Sequence, residues 1–143
     1  MNTNTLFSSK KNTWETPQWL FDELNEEFHF TLDPCATIDN HKCERYFTEE
    51  ENGLEQNWEG ETVFCNPPYG NKETGLWTKK CYEESLKPNT TVVLLIPART
   101  DRISFHDYIY GKAEIRFLKG RLKFGNSNTP APFPSMIVVF KNI

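Results

Sequence analysis

Apolar positions change their spacing several times along the chain, and each change predicts a different element. Behind Pro17 they recur at helical spacing, which predicts an amphipathic helix over residues 17–27. Thr16 then supplies a hydroxyl at the expected N-cap position, and proline suits the first helical position. The run over residues 91–96 is instead continuous, largely β-branched and followed by a proline, which is typical of a strand covered on both faces of a parallel sheet.

The same patterns predict the remaining elements. Further helices are expected over residues 41–44, 75–86 and 103–110, and further strands over 28–32, 45–48, 62–65, 113–119, 122–124 and 136–140. Because strands alternate with helices, we expect an α/β fold built on a parallel sheet. A chain of 143 residues has room for one domain, which we place over residues 13–143, behind a flexible polar arm over 1–12.

Composition excludes several classes of protein. Apolar residues make up 37% of the chain and aromatic residues 14%, which is enough for a packed core. The longest apolar run is far too short to span a membrane and no export signal is recognisable, so we expect a cytoplasmic protein without membrane segments. The four cysteines form no Cys-x-x-Cys pair and no doublet with a histidine, so we expect free thiols and no metal site.

Charge is divided unevenly along the chain. Residues 1–98 carry 8 Lys and Arg against 17 Asp and Glu, a balance of −9, whereas residues 99–143 carry 8 against 3, a balance of +5. A basic C-terminal third on an acidic body fits a surface that faces a polyanion. A mixed surface with unevenly spread charges gives the same count, so charge alone leaves both interpretations open.

The sharpest motif is Asn66-Pro67-Pro68-Tyr69, directly after the strand predicted over 62–65. Proline cannot donate to a strand ladder and its φ is fixed, so the strand must end here in a stiff bend. Such a bend has a purely structural use, as a strand end with an aromatic lid. It also suits one particular chemistry, the alkylation of an exocyclic amine.

That chemistry needs two hydrogen-bond acceptors. The amine of an aromatic base is a poor nucleophile, because its lone pair is delocalised into the ring. The Asn66 amide oxygen and the Pro67 carbonyl can hold its two hydrogens while the nitrogen rehybridises, and the prolines fix the direction of that carbonyl. Tyr69 offers a ring on which the base can stack.

The tetrapeptide is the motif of amino-methyltransferases that use S-adenosylmethionine, and further segments narrow the resemblance. They are Trp14-Glu15-Thr16-Pro17, Leu32-Asp33-Pro34-Cys35-Ala36, Gly53-Leu54 with Trp58, Pro97-Ala98-Arg99-Thr100, Gly120-Arg121-Leu122-Lys123-Phe124 and Ala131-Pro132-Phe133-Pro134-Ser135. From about Trp14 to Phe140 the chain resembles the phage DNA N6-adenine methyltransferases of Dam type. The resemblance implies a single Rossmann-like class I methyltransferase domain with a mostly parallel sheet, a shortened region between its first and fourth strands, and antiparallel C-terminal strands.

The resemblance also implies cofactor residues. The matching positions are Trp14, Thr16 and Pro17 in the N-terminal cofactor motif, and Asp33, Pro34, Cys35 and Ala36 in the cofactor turn. A turn without glycine is compatible with this cofactor, which carries no phosphate for a glycine nest to hold. Glu49, or one of the two glutamates after it, is the candidate for binding the ribose hydroxyls of the cofactor. Asn52 is the candidate for binding the adenine amine of the cofactor.

For DNA, the resemblance implies a duplex whose target adenine is flipped out to reach Tyr69. The basic C-terminal third supplies the candidate phosphate contacts, which are Arg99, Arg102, Arg121 and Lys123. No insert is large enough for a separate target-recognition domain, so sequence reading would fall to loops over 71–74 and 125–135. A phage-encoded protein of this kind would work in the cytoplasm of the bacterial host.

Two other functions remain open. The Asn-Pro-Pro-Tyr bend would also serve a methyltransferase of another planar amine, such as an RNA base, cytosine N4 or a protein glutamine. A non-catalytic binding module that keeps the fold, for example an antirestriction factor, would explain the missing glycine turn and the net charge of −4. The intact tetrapeptide argues against such a module.

Overall fold

The computed structural model describes residues 14–141, so the arm predicted over 1–12 lies outside the described residues. In chain order, the elements are α1 (Gln18–Phe28), a 3-10 turn (Gly53–Glu55), β1 (Thr62–Cys65), α2 (Asn71–Ser85), β2 (Thr91–Pro97), a π-helical turn (Phe105–Ile109), β3 (Glu114–Phe117) and β4 (Ser135–Lys141). Across this part of the chain, no helix has the length and apolar character needed to cross a membrane.

Four strands form one sheet in the order β1-β2-β4-β3. β1 and β2 are parallel, with Cys65 beside Leu94, so their carboxyl ends meet at the same edge of the sheet. β4 runs antiparallel to both β2 and β3. The mixed α/β fold and the antiparallel C-terminal strands are therefore confirmed. The mostly parallel sheet is not, because β4 inserts between β2 and β3 in the opposite direction.

Beyond β1 the sheet is reduced to single bridges. Leu32 pairs with Val63, and Asp33 pairs with Tyr46, both in the parallel sense. The strand predicted over 28–32 is wrong in extent, because α1 continues into it and ends at His29 with a left-handed φ of 58°. The strand predicted over 45–48 is likewise limited to the bridge at Tyr46. The sheet is therefore short on this side of β1, which agrees with the shortened region that the resemblance implies.

Helix predictions are most accurate where the apolar spacing is regular. α1 confirms the helix predicted over 17–27, and α2 confirms the one predicted over 75–86 but begins four residues earlier. Residues 71–74 are therefore the first turn of a helix, so the loop predicted there is wrong, while their role in sequence reading stays a prediction. Residues 41–44 are bends rather than a helix, and residues 122–124 join no strand.

The core surrounds the two central strands. Every residue of β2 after Thr91 is buried, and β4 is buried as far as Phe140. α1 faces the sheet with its buried residues, and the Phe21 ring lies 5.3 Å from that of Phe64 in β1. The prediction that residues 91–96 form a strand covered on both faces is thus confirmed. Burying these side chains is the main source of stability for the sheet edge that bears the tetrapeptide.

Gly53 and Trp58 fix the loop that precedes β1. Trp58 is fully buried, and its indole N–H donates to the Gly53 carbonyl at 3.1 Å. The Trp58 backbone N–H donates to the buried Glu84 carboxylate at 2.6 Å, which also pairs with two lysine side chains. Gly53 packs so closely that an added Cβ would lie 2.1 Å from the Pro34 carbonyl oxygen. A glycine is therefore needed to hold this loop against the predicted cofactor turn.

We predict that Gly53→Ala lowers the free energy of unfolding by at least about 2 kcal/mol, because the new Cβ forces two backbone segments apart. Gly75→Ala is the matched control. A Cβ at Gly75, inside α2, meets nothing closer than 3.9 Å, so alanine should raise the free energy of unfolding by up to about 1 kcal/mol. Urea unfolding of both variants measures these changes, and equal stabilities would show that the close approach of Gly53 to Pro34 is unimportant.

Candidate active site

The Asn66-Pro67-Pro68-Tyr69 bend follows β1 at the edge where β1 and β2 end together. The prolines stop the ladder, and the chain then turns into α2 at Asn71. Pro67 and Tyr69 are buried, whereas Asn66 and Pro68 are half-buried. The two prolines make the bend rigid, and the half-buried Asn66 side chain remains partly accessible.

The Asn66 carboxamide is held by three hydrogen bonds. Its Nδ2 donates to the Trp14 carbonyl and, at 2.9 Å, to the Thr16 hydroxyl. Its Oδ1 accepts from the Tyr69 hydroxyl at 2.7 Å. Because both amide hydrogens are engaged on one side, the oxygen has a defined direction. An amide oxygen has two lone pairs, so one acceptor position remains after the Tyr69 bond.

Tyr69 is an anchor as well as a motif residue. Its hydroxyl lies 3.1 Å from the Leu95 carbonyl in addition to its contact with Asn66. Burial raises the pKa of the Tyr69 phenol well above its usual value, so the group stays protonated and acts as a donor at neutral pH. Its ring meets the rings of Phe124 and Phe133 edge to face, with centroids 6.2 and 5.6 Å away. The sequence did not predict the hydroxyl's role.

One cavity of about 270 Å³, which we call the Asp33 cavity, adjoins the bend. It is lined by the predicted cofactor residues Trp14, Thr16, Asp33, Cys35 and Ala36 and by the predicted catalytic residues Asn66, Pro67 and Pro68. The structure therefore brings together, around one space, residues that are up to 54 positions apart in the sequence. Their roles in cofactor binding and catalysis stay predictions.

A second cavity of about 250 Å³, the Arg102 cavity, adjoins Tyr69. Its lining includes the predicted DNA-contacting residues Arg99 and Arg102, with Tyr69 and Trp14. Trp14 lines both cavities. The Asp33 and Arg102 cavities are thus neighbours across Trp14, and the hydrogen-bonded pair of Asn66 and Tyr69 contributes one residue to each.

Asp33 organises the loop that lines the Asp33 cavity. Its carboxylate accepts from the backbone N–H of Lys42 at 2.9 Å and from that of Cys35 at 3.4 Å. Burial raises the pKa of the Asp33 carboxyl, and the two backbone hydrogen bonds and the nearby His41 and Lys42 oppose that rise. Both carboxylate oxygens therefore have a structural task in shaping the loop from Cys35 to Lys42.

Four predicted cofactor residues line neither cavity. Pro17 is the buried N-cap of α1, and Pro34 packs against Gly53. Asn52 has a left-handed φ of 55°, and its side chain accepts from the Leu54 N–H at 3.2 Å, which caps the 3-10 turn. Glu49 lies on an exposed turn.

The basic side chains of the C-terminal third separate into different groups. Arg99 and Arg102 line the Arg102 cavity, whereas Arg121 and Lys123 are exposed and line neither cavity. Arg116 pairs through its guanidinium with Glu27 at 2.7 Å and with Glu114. These two carboxylates raise the pKa of Arg116, so its charge is neutralised within the protein. Among the basic residues of the C-terminal third within residues 14–141, Arg99 and Arg102 are therefore the ones that share a cavity with a residue of the tetrapeptide.

All four cysteines are free thiols; Cys43, Cys65 and Cys81 are buried, and Cys35 is half-buried. Burial raises the pKa of Cys35 and of Cys43 to about 12, and it raises the pKa of Cys65 well above the usual value. These groups are protonated at neutral pH, whereas a metal ligand or nucleophile must be a thiolate. Within residues 14–141, no group of three or more His, Cys, Asp or Glu side chains is arranged to hold a metal ion.

Comparison with known proteins identifies the family. A family model described as DNA N-6-adenine-methyltransferase (Dam) matches residues 2–142. The chain belongs to this family. Among its relatives, the DNA N-6-adenine-methyltransferase of Haemophilus phage HP1 (strain HP1c1) is 30% identical over 141 residues, which cover 93% of this chain and 80% of the relative. The DNA N-6-adenine-methyltransferase of Escherichia phage T1 is 27% identical over 114 residues, which cover 78% of this chain and 47% of the relative.

The resemblance read from the motifs is thereby confirmed, and the structure adds residues to this Dam-family site that the sequence did not single out. Glu15, Thr37, Asn40 and Lys42 line the Asp33 cavity, and Thr74, Ser104 and Phe133 line the Arg102 cavity. Glu15 and Phe133 lie inside segments that carried the resemblance. Thr74 lies in the segment over 71–74 that was expected to read sequence. Thr37, Asn40, Lys42 and Ser104 had no pattern of their own, because only folding brings them beside the two cavities.

Proposed function

We propose that this Dam-family protein transfers the methyl group of S-adenosylmethionine to the N6 amine of adenine in DNA. The observation that supports this proposal best is the orientation of the Asn66 amide. Asn66 lines the Asp33 cavity, and its hydrogen-bonded partner Tyr69 lines the Arg102 cavity. An amine held at this pair would lie where the two cavities adjoin, so that methyl donor and acceptor can approach from different sides.

Two acceptors on the bend can hold the target amine. The free lone pair of Asn66 Oδ1 accepts one N6 hydrogen, and the Pro67 carbonyl accepts the other. As the N6–CH3 bond forms and the S–CH3 bond of the bound cofactor breaks, positive charge would develop on N6 and strengthen both hydrogen bonds. One N6 proton is then released to solvent, which leaves a neutral methylamine. Because the bend is stiffened by Pro67 and Pro68, the acceptors need little reorganisation during the reaction.

The lining of the Asp33 cavity fits S-adenosylmethionine. This cofactor combines a planar base, a ribose and a zwitterionic methionine, and it supplies an electrophilic methyl group on its sulfonium. The cavity offers the rings of Trp14 and Phe64 together with hydroxyl, amide and carboxylate groups. Among residues 14–141, Lys42 is the only lysine or arginine that lines the cavity, which agrees with a ligand that has no phosphate group. Glu15 and Asp33 are its lining carboxylates, and they are better placed than Glu49 to accept hydrogens from the ribose hydroxyls.

The Arg102 cavity is the proposed site of the target adenine. Tyr69, Trp14 and Phe133 supply aromatic surface, and Arg99 and Arg102 supply positive charge for the flanking phosphates. A paired adenine cannot reach Tyr69 from within a duplex, so the base must be flipped out. We propose that the reaction takes place in the cytoplasm, that of a bacterial host if the gene is phage-borne.

We predict that Asn66→Ala lowers kcat for methyl transfer to unmethylated DNA by at least about a hundredfold, since it removes one of two acceptors and frees Tyr69. The Kd for S-adenosylhomocysteine should stay within about threefold of the wild-type value, because most of the cavity lining is retained. The assay uses tritiated S-adenosylmethionine with DNA, RNA and protein substrates in parallel. Asn57→Ala, an exposed substitution outside both cavity linings, is the control.

Two results would contradict this proposal. Full activity of the Asn66→Ala variant would show that the Asn66 amide is not needed for methyl transfer. Methylation of RNA or protein by the wild-type protein in preference to DNA would show that the same bend serves another planar amine.

For DNA contact, we predict that Arg102→Ala weakens binding and reduces the slope of log affinity against log salt by about 0.9, the value for one lost phosphate contact to duplex DNA. Arg116→Ala is the matched control. Because Arg116 is already paired with Glu27 and Glu114, this substitution should leave the slope unchanged. Fluorescence anisotropy over a range of salt concentrations measures both variants. An unchanged slope for Arg102→Ala would show that phosphate contacts lie elsewhere, with Arg121 and Lys123 as the next residues to test.

A further inference from the structure

Thr16 lies at the start of α1 but does not cap it. The N-cap residue of α1 is Pro17, and no side chain caps the helix. Thr16 is 4% exposed, and its hydroxyl instead accepts the 2.9 Å hydrogen bond from Asn66 Nδ2. The N-cap role predicted for this hydroxyl is therefore wrong, and the group is used fifty positions away in the sequence, on the catalytic bend.

The Asn66 amide needs such a partner. The terminal torsion of an asparagine side chain has a broad, roughly two-fold preference, so the rotamer alone does not decide which way the oxygen points. The Trp14 carbonyl and the Thr16 hydroxyl take the two Nδ2 hydrogens, and the Tyr69 hydroxyl donates to the oxygen. Turning the amide over would set its oxygen against the Trp14 carbonyl, which can only accept. It would also replace the hydrogen bond that Oδ1 accepts from Tyr69, although the Tyr69 hydroxyl could still donate to the Leu95 carbonyl. Of the two groups that accept from Nδ2, the Thr16 hydroxyl belongs to a side chain and the Trp14 carbonyl belongs to the backbone.

We infer that Thr16 is a positioning residue for methyl transfer: its hydroxyl holds the Asn66 amide in the orientation that turns the oxygen toward the target amine. The inference rests on the proposed function, since it concerns the same reaction. Thr16 is not itself catalytic, because it acts through Asn66.

Thr16 also lines the Asp33 cavity, so a role in holding the cofactor is the competing explanation. The two roles affect different constants. Loss of a cofactor contact raises the KM and the Kd for the cofactor, whereas a misdirected amide lowers kcat and leaves cofactor binding intact. Thr16→Val separates them, because valine has nearly the shape of threonine but no hydroxyl.

The experiment compares the wild-type protein with Thr16→Val and Thr16→Ser. For Thr16→Val we expect kcat on unmethylated DNA to fall about tenfold to a hundredfold, with the Kd for S-adenosylhomocysteine within about threefold of wild type. Thr16→Ser keeps the hydroxyl and should restore kcat to within about threefold of wild type. Thr91→Val, at the far end of β2, is the matched control and should leave kcat and the melting temperature unchanged.

A second readout does not depend on activity. In ¹⁵N-labelled protein, the side-chain NH2 hydrogens of Asn66 should exchange with water about tenfold faster in Thr16→Val than in the wild-type protein or Thr16→Ser, because one of their acceptors is gone. Unchanged kcat and unchanged exchange in Thr16→Val would overturn the inference. A rise in cofactor Kd with unchanged kcat would assign Thr16 to the cofactor instead. If the wild-type protein binds cofactor but methylates no DNA, the proposed function fails, while the exchange rates still decide whether Thr16 holds the amide.

Discussion

The direction of the Asn66 amide depends on three hydrogen bonds from two separate parts of the chain. The Trp14 carbonyl and the Thr16 hydroxyl approach from the segment before α1, and the Tyr69 hydroxyl approaches from the start of the turn into α2. Each bond is about 1 kcal/mol in net stability, but together they remove a conformational freedom that the side chain would otherwise keep. The entropic cost of ordering the amide is thus met during folding, so the proposed reaction would not have to meet it.

Aromatic packing keeps these two parts together. The Trp14 ring meets Phe124 and Phe133 at 5.5 and 5.1 Å, and the same two rings contact Tyr69. The Gly125 N–H donates to the Glu15 carbonyl at 2.8 Å, which adds a backbone link to the same side. The segment between β3 and β4 therefore covers the Asn66-Pro67-Pro68-Tyr69 bend. It stabilises the bend by packing, and it also forms part of the wall of the Arg102 cavity. Three segments that carried the family resemblance, over residues 14–17, 120–124 and 131–135, are thus in contact with one another.

The sequence predicted the parts of the site that depend on local chemistry. A double proline after a strand requires a stiff bend, and the apolar run before Pro97 requires a buried strand, so Asn66 and β2 were placed correctly. Parallel pairing was overestimated, because a strand with both faces buried has the same composition beside an antiparallel neighbour such as β4. The N-cap assignment of Thr16 failed for a similar reason: hydroxyl groups that cap helices and those that hold distant amides look alike in a sequence. Asn52 caps its own 3-10 turn, and its contact with the cofactor stays a prediction.

A crystal structure of the protein with S-adenosylhomocysteine tests most directly whether the bend separates methyl donor from acceptor. We predict that the ligand occupies the Asp33 cavity, with Asn66 Nδ2 still bonded to Trp14 and Thr16 and the Arg102 cavity free for a base. Ligand bound in the Arg102 cavity, or an Asn66 amide turned so that its oxygen faces Thr16, would contradict this arrangement.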